Sequence, residues 1–408
     1  MNDLFVKLGV TAALATGLNK AGITAPTEIQ TAVIPLALAG KDIAGQSATG
    51  TGKTLAYLLP LFQRVDAAKR EMQAIILAPT HELAIQIHRQ AEILALESGV
   101  AVRSAPVIGQ VNIARQIERL KDKPHIIVGS SGRILELIQK RKISAQTIRT
   151  IVIDEADKLL DDNNWASVKA VVKTTLKDRQ LMLFSATITP AALERARELA
   201  PAVQAVQAQG PGKVPADITH LYMVTEQRDK MELLRKLLAS LKTERALVFI
   251  NSSDAIEMTV TKLNYHGLNA AGIYGGSVKA DRRKALEDFR TGKVRLLVAS
   301  DLAARGLDIP GVTCVFNLEM PEDPQVYLHR VGRTGRAGQS GLALSLVTRS
   351  EAERVTRFAK ALRIDIQAKE MFRGHIVDSR PRTAARTSKP ARPAPRAKPK
   401  TKKEEPAR

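Results

Sequence analysis

The hydrophobic positions of the chain form short apolar runs that alternate with helical patterns in both halves. Six short runs are candidate strands, and several of them are apolar without alternation, as expected of strands covered on both faces of a parallel sheet. They are residues 74–77, 126–128, 150–153, 181–184, 247–250 and 295–299. Residues 1–18 predict a first helix, residues 55–62 and 277–289 two others, and apolar positions spaced through 231–241 predict an amphipathic helix. The alternation is typical of βαβ units and predicts an α/β fold with two parallel sheets.

Small, polar and charged residues follow the apolar runs in both halves. These segments are 78–80, 129–133, 154–157, 185–187 and 300–301. In open parallel sheets the carboxyl ends of the strands form the ligand crevice. The pattern therefore predicts two sheets that face one shared site.

Charge and composition narrow the class of protein. The 408 residues hold 62 Lys or Arg against 41 Asp or Glu, a formal net charge of +21. Such an excess favours a polyanionic partner, with nucleic acid ahead of a membrane surface. Cys314 is the only cysteine, which excludes an internal disulfide and a cysteine-based zinc site. No apolar run is long enough for a membrane helix. We expect a cytoplasmic protein, and we also expect it to act as a monomer.

Composition shifts divide the chain into four parts. Glycines and prolines in residues 208–216 interrupt both helix and strand, which predicts a linker between a first domain, 1–207, and a second, 217–368. Residues 369–408 are predicted to form a basic tail. Its last part, 379–408, has eleven Lys or Arg, two Glu and six Pro, and it has too few apolar side chains to offset the entropy of ordering.

Residues 47–54 form a glycine-rich loop before a helical segment. Gly50 and Gly52 let backbone N–H groups approach phosphate oxygens at a helix N-terminus. Lys53 would reach the β- and γ-phosphates, and the Thr54 hydroxyl would bind Mg²⁺. The strict pattern has glycine where this chain has Ser47.

Two carboxylates follow the apolar run 150–153. Asp154 at the end of such a strand suits Mg²⁺ binding, and Glu155 can orient or deprotonate an attacking water. In the second half, Arg333 and Arg336 are three residues apart and would point to one side of a helical turn. Two guanidinium groups there can stabilise the charge on a transferred phosphoryl group. If they belong to the other domain, hydrolysis requires the domains to close.

Together these segments resemble the DEAD-box family of ATP-dependent RNA helicases. The segment 22–30 is similar to the family's adenine-reading segment, 47–54 to motif I, and 300–308 and 327–338 to motifs V and VI. Asp-Glu-Ala-Asp at 154–157 matches motif II letter for letter, and Ser-Ala-Thr at 185–187 matches motif III. The resemblance implies two tandem RecA-like domains, each a parallel sheet flanked by helices, followed by a disordered basic tail.

The resemblance also implies roles for individual residues. It implies that the catalytic residues are Lys53, Glu155, Arg333 and Arg336. It implies that Thr54 and Asp154 bind Mg²⁺. ATP binding falls to Phe5, Thr27, Gln30, Thr49, Gly50, Thr51, Gly52, Lys53, Thr54, Gly306 and Asp308; Phe5 would stack on the adenine and Gln30 would read its edge. Asp157, Ser185, Thr187 and His329 couple the domains. RNA binding falls to Pro79, Thr80, Gly109, Gly132, Arg133, Arg282 and Ser300.

Several residues depart from the family pattern. The departures in RNA-binding and coupling segments are His81, Gln110, Ser130, Ser131, Tyr274, Lys279 and Ser300, and Ile23 departs in the adenine-reading segment. We expect an ATP-dependent RNA helicase that remodels or locally unwinds short duplexes through their phosphate backbone, with ribonucleoprotein or ribosomal partners. The alternative is an RNA-stimulated ATPase that acts as an ATP-gated clamp or annealing factor. Gln30 and the 154–157 tetrad disfavour a DNA translocase.

Overall fold

A computed structural model gives the structure of the chain. It describes residues 3–47, 50–109, 112–207, 218–241, 243–274, 277, 279–304, 311–335 and 339–379. The predicted linker, 208–216, lies outside the described residues.

A seven-stranded parallel sheet organises the first half. Its strands are β1 (Ile43–Gln46), β2 (Ala74–Leu77), β3 (Ser104–Val107), β4 (Ile126–Gly129), β5 (Thr150–Asp154), β6 (Gln180–Ser185) and β7 (Gln204–Gln207), in the order β3-β4-β2-β5-β6-β1-β7. Its helices are α1 (Asp3–Lys7), α2 (Ala12–Lys20), α3 (Glu28–Leu38), α4 (Lys53–Arg64), α5 (His81–Ser98), α6 (Ile113–Leu120), α7 (Ser131–Gln139), α8 (Ala156–Leu159), α9 (Trp165–Thr174) and α10 (Pro190–Leu199).

An eight-stranded sheet organises the second half, and only its last pair is antiparallel. Its strands are β8 (Ile218–Val224), β9 (Ala246–Phe249), β10 (Ala270–Ile273), β11 (Leu296–Ala299), β12 (Cys314–Asn317), β13 (Gly341–Val347), β14 (Ile366–Phe372) and β15 (His375–Asp378), in the order β10-β11-β9-β12-β13-β8-β14-β15. Its helices are α11 (Lys230–Leu241), α12 (Ser253–Tyr265), α13 (Lys279–Arg290), α14 (Asp301–Ala304), α15 (Pro324–Val331) and α16 (Arg349–Leu362). The predicted architecture of two parallel-sheet α/β domains flanked by helices is confirmed.

The apolar runs are strands buried on both faces, as predicted. In β2, Ala74 and Ile76 belong to the hydrophobic core on one face, and Ile75 and Leu77 to the core on the other. Fully burying one such isoleucine or leucine stabilises the fold by roughly 1.5–3 kcal/mol. Because both faces are covered, such a strand has no polar face, and its sequence shows no alternation of polar and apolar residues.

The prediction of one helix over residues 1–18 is wrong. The chain forms α1 and α2 instead, and Gly9 between them has a φ of +91°. This left-handed conformation costs glycine little and ends α1, with the N–H of Gly9 donating to the carbonyl of Val6. The turn lets both helices cover the first domain's core.

The ordered chain continues past the predicted domain end at 368. Residues 366–372 and 375–378 form a hairpin, turning at Arg373 and Gly374, whose φ values are +48° and +81°. Met371 and Ile376 pack against the second domain's core. The hairpin was missed because the average composition of residues 369–408 is basic and poor in apolar residues, although these first residues of the segment bury apolar side chains. Residues 380–408 lie outside the described part.

Candidate active site

The glycine-rich loop leads from β1 into α4. Gly50 and Gly52 have φ values of +83° and +89°, a left-handed backbone that glycine adopts readily. Lys53 is the first residue of α4, and its Nζ donates to the carbonyl of Ser47 at 2.6 Å. The Ser47 and Thr51 hydroxyls are 2.6 Å apart, so the serine that departs from the strict pattern closes the loop on itself. Thr49 lies outside the described residues.

The adenine-reading segment is tied to this loop. Thr27 begins α3 with a capping box, in which its N–H donates to Gln30 Oε1 at 3.0 Å. Gln30 Nε2 donates to the carbonyl of Gly52 at 3.0 Å, and a Cβ on Gly52 would lie 2.4 Å from that nitrogen. An amide has a second N–H and spare lone pairs, so Gln30 retains the groups needed to read an adenine edge while bracing the loop.

Two acidic residues end β5, facing the loop. Asp154 is buried, and its Oδ1 accepts the N–H of Glu155 at 2.9 Å. Glu155 adopts a left-handed φ of +50°, which is uncommon for a non-glycine residue and often marks a functional position. Burial raises the pKa of Asp154, against the pull of the Lys53 ammonium.

Charges from both domains converge on Glu155. Burial raises the pKa of Glu155, and the Arg333 guanidinium of the second domain is the main opposing influence. Burial also lowers the pKa of Lys53, opposed by Asp154 and Glu155 and assisted by Arg333. A raised carboxyl pKa makes Glu155 a stronger base for a water proton than an ordinary glutamate.

The four predicted coupling residues lie together at the cleft. Ser185 Oγ donates to Asp157 Oδ1 at 2.7 Å and accepts the N–H of Thr187 at 3.2 Å. His329 faces them from α15: burial lowers its pKa to about 4, and Asp157 is the main charge that opposes this. His329 is therefore neutral at pH 7 and places no permanent cation beside Asp157.

Among the described residues, Arg333 is the arginine of the second domain that acts on Glu155. Arg333 is buried, and its Nε donates to the carbonyl of His329 at 3.1 Å. Arg336, Gly306 and Asp308 lie outside the described residues. Among described residues, Arg330 was missed by sequence reasoning. It is fully buried, makes two hydrogen bonds to Asp301 at 2.6 and 2.8 Å, and anchors α15 below Arg333.

Both halves of the chain match known helicase families. Residues 27–196 match the DEAD/DEAH box helicase model, and residues 229–338 match the helicase conserved C-terminal domain. The DEAD-box ATP-dependent RNA helicase CshC of Bacillus cereus is 40% identical over 372 residues, covering 91% of this chain and 94% of the relative. This chain belongs to the DEAD-box helicase family. Proteins with these names are ATP hydrolases, so this DEAD-box chain is an enzyme of that class.

Other relatives and solved structures agree. The probable ATP-dependent RNA helicase YfmL of Bacillus subtilis is 40% identical, covering 85% of this chain and 92% of YfmL. The structure of S. cerevisiae Dbp5 bound to RNA and ADP BeF3 has a TM-score of 0.81 and 30% identity, and the match covers 89% of this chain and 94% of the chain in that structure. The structure of Mss116p bound to ssRNA and AMP-PNP shares the fold, with a TM-score of 0.77 and 21% identity. The match covers 90% of this chain and 78% of the chain in that structure.

Six of the seven residues that the DEAD-box resemblance assigns to RNA lie at one half of the carboxyl edge of each sheet. In the first domain they follow β2, β3 and β4, and in the second Ser300 follows β11, whereas the loop and the acidic residues lie at β1 and β5. They are Pro79, Thr80, Gly109, Gly132, Arg133 and Ser300. Gln116 braces this edge by holding the main chain of Ile108 at 3.1 and 2.8 Å.

Two assigned residues differ from expectation. Phe5 is 0% exposed and packs in the first domain's core, so its ring has no free face on which adenine could stack. Arg282 is engaged within the protein: its Nε lies 3.1 Å from Glu82 Oε1 across the domains, and its Nη2 donates to the carbonyl of Ala303 at 2.9 Å. The structure makes Arg282 a contact between domains in place of an exposed RNA ligand.

Among the described residues, no helix is long and apolar enough to cross a membrane.

Proposed function

We propose that this DEAD-box protein hydrolyses ATP between its two domains and uses the cycle to remodel or locally unwind short RNA duplexes. The observation that carries the proposal is the composite site, in which Lys53 and Glu155 of the first domain meet Arg333 of the second. Lys53 would bind the phosphates, Glu155 would orient and deprotonate the attacking water, and Arg333, with Arg336, would stabilise the developing charge. Closure would then follow ATP binding, and opening would follow hydrolysis.

The same site suits Mg²⁺ as cofactor. The Asp154 carboxylate and the Thr54 hydroxyl are oxygen donors, which Mg²⁺ prefers, and Asp154 is buried beside the glycine-rich loop. When bound, Mg²⁺ would neutralise charge on the phosphate oxygens. The chain's own part is to hold Asp154 and Thr54 in place and to keep bulk water away from them.

We propose that RNA crosses the other half of the cleft, past the carboxyl ends of β2, β3, β4 and β11. The net charge of +21 supports a polyanion there, and contacts to phosphates and 2′-hydroxyls would make binding largely independent of sequence. A monomeric state, a cytoplasmic location and ribonucleoprotein or ribosomal partners stay predictions.

One observation favours the second candidate, an ATP-gated clamp or annealing factor. It is the residue at position 81, in the half of the cleft proposed for RNA. His81 stands where the family has arginine, and its Nε2 lies 3.3 Å from where a Cβ on Gly109 would be. Histidine offers fewer donors and less permanent charge than arginine, which weakens a grip on strands that must be separated.

The test compares ATPase stimulation by RNA and by DNA alongside unwinding of a short RNA duplex. The helicase proposal expects stimulation by RNA together with strand separation. Stimulation by RNA without separation would favour the clamp. Equal stimulation by DNA would contradict both.

A further inference from the structure

Tyr57 is a buried tyrosine beside the catalytic loop that sequence reasoning did not assign to the site. It lies one turn into α4, four residues after Lys53, is 0% exposed, and its ring packs against Phe184 with centroids 5.2 Å apart. Its hydroxyl donates to Asp154 Oδ2 at 2.9 Å.

This phenol therefore holds one of the two groups assigned to Mg²⁺, the Asp154 carboxylate. Asp154 receives one donor on each oxygen, from the Tyr57 hydroxyl on Oδ2 and from the Glu155 N–H on Oδ1. The carboxylate cannot rotate without breaking one of these bonds.

We propose that Tyr57 is a positioning residue for Mg²⁺-dependent nucleotide binding, holding the Asp154 carboxylate in one orientation. The inference rests on the proposed function, since it needs Mg²⁺ at this site. Residues that orient metal ligands typically change metal affinity by roughly 10–100-fold when removed. A tyrosine that only filled the core would contribute packing and a satisfied hydroxyl, with no specific effect on Mg²⁺.

The experiment measures binding of a fluorescent ADP analogue to the full chain while Mg²⁺ is titrated, with an EDTA arm. Tyr57→Phe keeps the ring against Phe184 and removes only the hydroxyl. The matched control is Tyr222→Phe, which removes a hydroxyl from a half-buried tyrosine of β8 in the other domain. Thermal melting of each variant reports on folding.

Tyr57→Phe is expected to raise the Mg²⁺ concentration for half-maximal binding by about tenfold, while affinity in EDTA and the Tyr222→Phe midpoint stay at the wild-type value. In an Asp154→Asn background, Tyr57→Phe should add no further shift, since it acts through Asp154. A wild-type midpoint in Tyr57→Phe, with only a lower melting temperature, would overturn the inference. Nucleotide binding by the wild type that ignores Mg²⁺ would instead overturn the Mg²⁺ site itself, and the inference with it.

Discussion

Glu82 and Arg282 form an ion pair across the two domains, and its removal should weaken closure. Arg282 Nε lies 3.1 Å from Glu82 Oε1, with the side chains 20% and 28% exposed. The Nε–H is not aligned for a hydrogen bond, so the contact is an attraction between charges, with Arg282 fixed by its bond to the carbonyl of Ala303.

The magnitude follows from distance and exposure. Two unit charges about 4 Å apart attract by about 4 kcal/mol at an effective dielectric of 20. Desolvation and side-chain ordering oppose this, and fully exposed pairs retain only about 0.2–1 kcal/mol. For a pair that is mostly covered we expect about 1.4 kcal/mol, or about tenfold in the ratio of closed to open molecules.

Energy transfer between one fluorophore on each domain, with RNA and a non-hydrolysable ATP analogue present, measures closure. Cys314 is the only cysteine and is buried, so introduced surface cysteines can be labelled selectively. Glu82→Gln should lower the closed-to-open ratio about tenfold, and the exchange of Glu82→Arg with Arg282→Glu should recover most of it. Glu118→Gln, which breaks an exposed pair with Lys121 inside the first domain, is the control. An exchange variant no better than Glu82→Gln alone would refute the reasoning.

Two further predictions concern RNA affinity and stability. Removing residues 379–408 should leave basal ATPase unchanged and flatten the salt dependence of single-stranded RNA binding by roughly 0.7 log units per lost phosphate contact; identical slopes would contradict this. Burial lowers the pKa of His220 to about 4, so from about pH 6.5 down to 4 the unfolded chain gains a proton that the folded chain resists. Chemical denaturation should show stability falling over that window by of order 3 kcal/mol, and a smaller fall in His220→Gln.

Strands and site residues could be predicted from the sequence where a short stretch of residues carries the signal by itself. Uninterrupted apolar runs identified β2 and β5 because each face of the sheet is covered by its own core. Gly52 and Lys53 were identified because phosphate binding needs that spacing. The N-terminal break at Gly9 was missed because one glycine inside a helical pattern does not by itself reveal its φ.

The unpredicted residues depend on contacts that only the fold creates. In the sequence, Tyr57 resembles an ordinary core aromatic. Only the fold brings Asp154, which lies 97 residues later in the chain, against the Tyr57 hydroxyl. Arg330 resembles the other cations of a basic segment in the sequence, yet in the structure it is more buried than Arg333 and pairs with Asp301. Phe5 fits the position of a stacking aromatic in the sequence, but its burial depends on how α1 folds onto the core.

The central claim is that hydrolysis requires an arginine from the second domain at a nucleotide site built by the first. Single-turnover ATP hydrolysis by Arg333→Ala, with RNA present, tests it most directly, with Arg357→Ala on the exposed face of α16 as control. We expect a loss of about a thousandfold or more in the hydrolysis rate, with ATP affinity retained because Lys53 and the glycine-rich loop belong to the other domain. Hydrolysis by Arg333→Ala at the rate of wild type and Arg357→Ala would contradict the composite site.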